Sequence, residues 1–171
     1  MEQWNIIQPE QLERSPFQMI GKDWMLITAE KEGKVNTMTA SWGGMGVLWR
    51  RNVVFVFVRH SRHTYGFLEA ADGFSCTFYP EQYRQALSYC GTVSGRDEDK
   101  IAHCGFTVDH AHGVPFFQQA NTVIICKKIY SQQIDAKDFI DSQILSQCYE
   151  GNAGDLHRMY VGEIVEIRSK N

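Results

Sequence analysis

The sequence predicts a mainly β fold with short interposed helices, an α+β chain of about six strands that closes or nearly closes into a barrel rather than a doubly wound sheet. Three observations carry this. The apolar runs are short and rich in β-branched and aromatic residues, as in VVFVFV at residues 53–58. Turn residues separate them, as in EKEGK, Asp72-Gly73 and GTVSGRDEDK. The helical stretches between are few and brief.

Taken in order, residues 8–14 read as a short helix with Pro9 near its start, and Pro16 breaks or restarts it, so residues 1–20 form an entry arm. Residues 24–30 and 35–42 are the arms of a hairpin turning at Gly33. Gly43, Gly44 and Gly46 predict a loop able to approach a ligand closely. A strand follows the Arg50-Arg51-Asn52 turn and runs to Val58, and residues 65–71 are helical, with Thr64 at the N-cap. Residues 74–79 form a strand, and Pro80 opens a helix that Cys90-Gly91 closes. Asp97 caps a short helix through Ala102. Residues 121–130 form a long strand, residues 135–145 carry helical spacing, and residues 159–167 alternate as the final strand.

The whole chain of 171 residues, 43% hydrophobic and 22% charged, is expected to form one domain over residues 1–171. A net charge of -3 without an extended basic run argues against nucleic acid as the main partner. No apolar run approaches the roughly 20 residues that span a bilayer, and the N-terminus lacks a secretory pattern. Five dispersed cysteines without a CxxC pair fit reduced thiols. These features lead to the expectation of a cytoplasmic protein without a membrane partner.

One stretch stands apart from this ordinary composition. RHSRHT, residues 59–64, gathers Arg59, His60, Arg62 and His63 where a strand passes into a helix. The first amides of a helix lack intrahelical partners and favour negative charge. Arg59 and Arg62 can grip phosphate oxygens there, with Ser61 and Thr64 supplying hydroxyls. The alternative is a solvated basic loop.

Four ordered segments, VNTMTASWGGMG, VRHSRHTYGFLE, CGTVSGRDEDK and GDLHRMYVGEIVEI, together resemble the flavin reductase-like family, with the flavoredoxin-type subgroup nearest in character. The resemblance covers residues 24–167. It implies a split β-barrel that binds FMN non-covalently, as a homodimer with the flavin near the interface. Along the flavin's polar edge it sets Asn36, Thr37, Met38, Thr39, Ala40, Ser41 and Trp42, whose amides and hydroxyls tune the ring. It makes Arg59, Ser61, Arg62 and Thr64 the phosphate end, although His60 and His63 replace the proline and aromatic residue that members often carry. Ser94, Gly95 and Lys100 match positions that approach the flavin, with Lys100 either near the ring's N1–O2 edge or paired on the surface with Asp97 or Glu98. His157 matches a histidine on the substrate side and is the candidate catalytic residue.

The implied activity is that of an FMN-dependent oxidoreductase, a flavin reductase taking electrons from NADH or NADPH. The alternatives are a flavoredoxin-like electron carrier that serves a redox protein partner without its own nicotinamide site, and a barrel that only binds flavin or another planar molecule such as haem. His103, Cys104, His110 and His112 crowd one segment, yet their spacing is not that of a zinc site, so no metal is expected and a surface loop is preferred.

Overall fold

The computed structural model describes residues 3–150 and 153–170. Among them ten strands form: β1 (Asn5–Ile7), β2 (Met25–Lys31), β3 (Lys34–Ala40), β4 (Gly43–Leu48), β5 (Arg51–Arg59), β6 (Gly73–Phe78), β7 (Val108–Ala111), β8 (Val114–Phe117), β9 (Thr122–Gln133) and β10 (His157–Ser169). Eight join one antiparallel sheet in the order β3-β2-β6-β9-β10-β5-β4, with β1 added on the C-terminal part of β10. The entry arm therefore contributes a strand to the main sheet.

This sheet is not closed. Its terminal strands are β3 and β4, and the chain links them through Ser41 and Trp42 alone. Consecutive strands at opposite ends of one sheet can be joined by so short a link only if the sheet curls round on itself. The expected barrel is thus present as curl, and it is split along a seam between β3 and β4.

The strand pattern follows from burial on both faces. In β2, Met25 and Ile27 enter one core cluster while Leu26 enters the other, and in β9 Ile124 and Cys126 alternate in the same way with Val123 and Ile125. Side chains of a strand point to opposite faces in turn. Where both faces are covered, the sequence reads as a continuous apolar run, which is why residues 53–58 and 123–126 carry no polar residue on either side. The inner cluster takes Phe67 and Leu68 from helix α2 (His63–Ala70). The outer one takes Leu87 and Cys90 from helix α3 (Arg84–Thr92) and Phe116 and Phe117 from β8.

Several expectations change. The glycine stretch is not a loop: Gly43, Gly44 and Gly46 lie in β4 and pair with Val56, Phe55 and Val53 of β5. The turn that follows consists of Trp49 and Arg50, both left-handed at φ 53° and 59°, between the paired Leu48 and Arg51. Two left-handed residues suit the twist of a tight hairpin, and the Trp49 ring packs on Tyr130 at 5.4 Å. The segment after Gly105 is likewise a hairpin, β7–β8, because Val114, Phe116 and Phe117 bury against the outer face.

The helices also shift. Residues 8–14 give only a tight turn at Pro9–Gln11, followed by α1 (Pro16–Gln18) and a wide turn at Met19–Asp23. The short helix α4 (Lys100–His103) is capped by Asp99, whose carboxylate accepts from the Ala102 amide at 3.0 Å, and not by Asp97. Residues 136–138 make a single turn, and the helix proper, α5 (Gln143–Tyr149), begins later than the helical spacing at 135–145 implies. The last strand starts at His157, ahead of the expected Met159.

Candidate functional site

At the seam, five residues from the end of β3 and its link, Met38, Thr39, Ala40, Ser41 and Trp42, wall a hollow of about 180 Å³. Its other lining residues are Phe57 and Arg59 of β5, Arg62, and His157 of β10. The antiparallel register sets His157 opposite Arg59, which brings the two to one end of the barrel. Trp42, 46% exposed, and Ser41 also border a more apolar hollow of about 430 Å³ that includes Phe17, Ile20 and Met45. Because β3 is terminal in the sheet, its outer edge has no strand partner there.

His157 is held on two sides. Its Nδ1 lies 2.6 Å from the Tyr149 hydroxyl, and its ring centroid is 5.1 Å from that of Trp42. Burial, then the positive charge of Arg59, lowers its pKa to about 4, so the ring is neutral at pH 7. Burial raises the Tyr149 phenol, which keeps its proton. The phenol hydroxyl and Nδ1 thus share one hydrogen bond, which fixes the ring's orientation. On unfolding, His157 regains its ordinary affinity for protons, so the unfolded chain binds more protons between about pH 6.5 and 4, and folded stability is lost as pH falls through that window. Thermal melts across it should show wild type losing more stability than His157→Gln, and parallel curves would disprove the assignment.

The basic loop is arranged differently from expectation. Arg62, not Thr64, stands at the N-cap of α2 and donates to the Gly91 carbonyl at 3.1 Å. Burial and the neighbouring Arg59 lower its pKa. Thr64 lies inside the first turn, 1% exposed, and accepts from Asn36 Nδ2 at 2.8 Å. Ser61 donates from its amide to Asp155 Oδ1 at 3.0 Å and from its hydroxyl to Oδ2 at 2.8 Å, and Arg59 Nη1 stands 3.8 Å from that same oxygen. Arg59 also donates to the Cys148 carbonyl at 2.8 Å and lies over the Tyr149 ring. The loop is thus a working anion cradle whose occupant is the chain's own carboxylate.

The remaining expected residues lie away from this hollow. Thr37 is fully buried, its hydroxyl shared with Thr28 and donating to the Ile27 carbonyl. Asn36, Gly95 and Lys100 border a separate cavity of about 750 Å³ at the opposite end of β3. Gly95 packs so closely on Asn36 that a side chain there would collide with the amide. Ser94 only turns its own loop, accepting from the Arg96 amide at 3.2 Å. Lys100 is 3% exposed and donates to the Cys90 and Val93 carbonyls, both at 3.0 Å, so neither Asp97 nor Glu98 is its partner. Burial pulls its pKa down to about 8.

Sequence reasoning missed Phe57, Tyr149 and Asp155. Phe57 was accessible from the alternation of VVFVFV, since it falls on the face opposite Val54, Val56 and Val58. The histidines between residues 103 and 112 have separate partners. His103 stacks on Tyr89, His110 pairs with Glu30 and His112 with Glu166, and no group of three metal-ligating side chains gathers among the described residues. Among the same residues no helix is long and apolar enough to cross a membrane.

A curled, mainly β sheet split beside a polar hollow places the protein among the split barrels. Residues 18–171 match the flavin reductase like domain, and the chain belongs to the flavin reductase-like family. Solved structures agree in fold. A flavoredoxin from Methanosarcina acetivorans is 22% identical with a TM-score of 0.68, covering 87% of this chain and 69% of its own. An FMN-binding domain of a flavin reductases-like enzyme from Shewanella baltica is 16% identical with a TM-score of 0.71, covering 99% and 78%. The flavoredoxin of Desulfovibrio vulgaris (Miyazaki F) is 20% identical with a TM-score of 0.68, covering 96% and 78%. No curated protein matches the sequence.

Proposed function

We propose that this chain is an FMN-dependent oxidoreductase of the NAD(P)H-dependent flavin reductase type. The observation that carries it is the meeting of Met38–Trp42, Arg59, Arg62 and His157 around one hollow at the seam. The residues present suit FMN: the Ser61 amide and hydroxyl with Arg59 already hold a carboxylate, so the same donors suit a phosphate. When bound, FMN would supply the two-electron chemistry that no side chain here possesses.

The chain's own residues would bind and orient. Arg59 and Arg62 hold the phosphate end, and the outer edge of β3 with Ser41 offers donors and acceptors to the polar edge of the ring. Neutral His157 offers the hollow a hydrogen-bonding ring rather than a charge, its orientation fixed by Tyr149. Trp42 and Phe57 exclude water. The exposed Trp42 and Phe17 beside the site support a homodimer that covers them.

The test is anaerobic titration of the FMN-loaded protein with NADH and then NADPH, following flavin absorbance. Rapid bleaching by either donor is expected. Persistence of oxidised flavin with both, when dithionite reduces it, would replace this reading with that of an electron carrier served by a redox protein. Failure to bind FMN at all would remove both.

A further inference from the structure

Outside the seam, two thiols meet that no flavin chemistry requires. Cys90 lies in the last turn of α3 and Cys104 directly follows α4. The intervening segment folds back so that their sulfurs are 3.8 Å apart. A disulfide needs roughly 2.05 Å between sulfurs, so a small approach of the two segments suffices. Cys90 is fully buried, whereas Cys104 is partly exposed and gives the pair access to solvent. Of the other cysteines, Cys76 and Cys126 are sealed in the inner core, and Cys148 lies in α5.

The pair's position joins it to the rest of the fold. Cys90's carbonyl accepts from Lys100, and that of the next residue, Gly91, accepts from Arg62. A covalent tie at Cys90 therefore acts on the helix end that holds both cations. Burial keeps the resting pair as thiols, most strongly Cys90, at about 12, while the contact with Cys90 and then the ammonium of Lys100 partly offset the rise at Cys104.

We propose that Cys90 and Cys104 form a reversible dithiol–disulfide pair, oxidised by low-molecular-weight disulfides entering at Cys104. The Cys104 sulfur attacks one sulfur of the oxidant RSSR, breaking its S–S bond and releasing one RSH. The Cys90 sulfur then attacks the Cys104 sulfur of the mixed disulfide and releases the second RSH. Two electrons pass from the protein to RSSR, and the two thiol protons end on the two RSH molecules.

The test treats the native protein with oxidised glutathione, blocks remaining thiols with an alkylating agent after denaturation, and maps linked peptides by mass spectrometry. Two of the five thiols should become protected as a Cys90–Cys104 link that dithiothreitol reverses. Cys90→Ser should instead retain glutathione on Cys104, and Cys104→Ser should leave Cys90 unmodified, both variants being checked by circular dichroism. Persistent glutathione on Cys104 in the wild type, a link to another cysteine, or five free thiols would each overturn the proposal. None of these readouts requires flavin, so they stand apart from the proposed activity.

Discussion

Replacing Arg59 and Arg62 together by alanine is expected to weaken FMN binding by about 3–6 kcal/mol, since each charge-assisted contact is worth about 1.5–3 kcal/mol. That is roughly a hundredfold or more in dissociation constant. Riboflavin, which has the same ring but no phosphate, should lose far less. The comparison matters because both arginines also hold the fold: Arg59 donates to the Cys148 carbonyl and lies over Tyr149, and Arg62 donates to the Gly91 carbonyl. Damage to the hollow itself would weaken both flavins alike. Flavin fluorescence titrations of the double variant against both ligands separate these effects, and Arg59→Lys with Arg62→Lys should recover part of the FMN loss by restoring charge without the bidentate fork. Equal losses for FMN and riboflavin would remove the phosphate assignment.

What the sequence disclosed and what it hid divide along physical lines. The arginines of the basic loop stood out by their clustering before a helix, whereas the end of β3 and His157 were picked out only by resemblance to family motifs. The seam gathers Met38–Trp42, Arg59, Arg62 and His157 around one hollow. The double-faced core was legible in outline from VVFVFV, whose burial is local chemistry. The glycines of β4 misled because glycine favours loops on average, whereas here backbone pairing with β5 holds the strand. Thr64 looked like a cap from its own neighbours, but its real partner is Asn36, on strand β3. Asp155 was hidden most completely. Its contact with Ser61 spans 94 residues of sequence and depends on how β10 is approached, which no short-range pattern encodes.

That hidden contact leads to the second large effect. Asp155 and a phosphate would compete for the Ser61 amide, the Ser61 hydroxyl and Arg59, and two anions cannot share them without mutual repulsion. Two unit charges about 4 Å apart repel by about 4 kcal/mol at an effective dielectric constant of about 20, and exposure and salt reduce this. Asp155→Asn keeps the shape and one acceptor oxygen for the Ser61 amide while removing the charge. FMN affinity should then rise about tenfold, or about 1.4 kcal/mol, with riboflavin affinity unchanged. The gain should shrink as ionic strength increases, because the repulsion it removes is partly screened. If Asp155→Asn instead weakens FMN and leaves riboflavin alone, the carboxylate is the anchor that shapes the loop for phosphate, and the bound ligand leaves it in place. Unchanged affinity for both would mean that the phosphate does not reach the Ser61 amide, and that Arg62 holds it without help from this cradle.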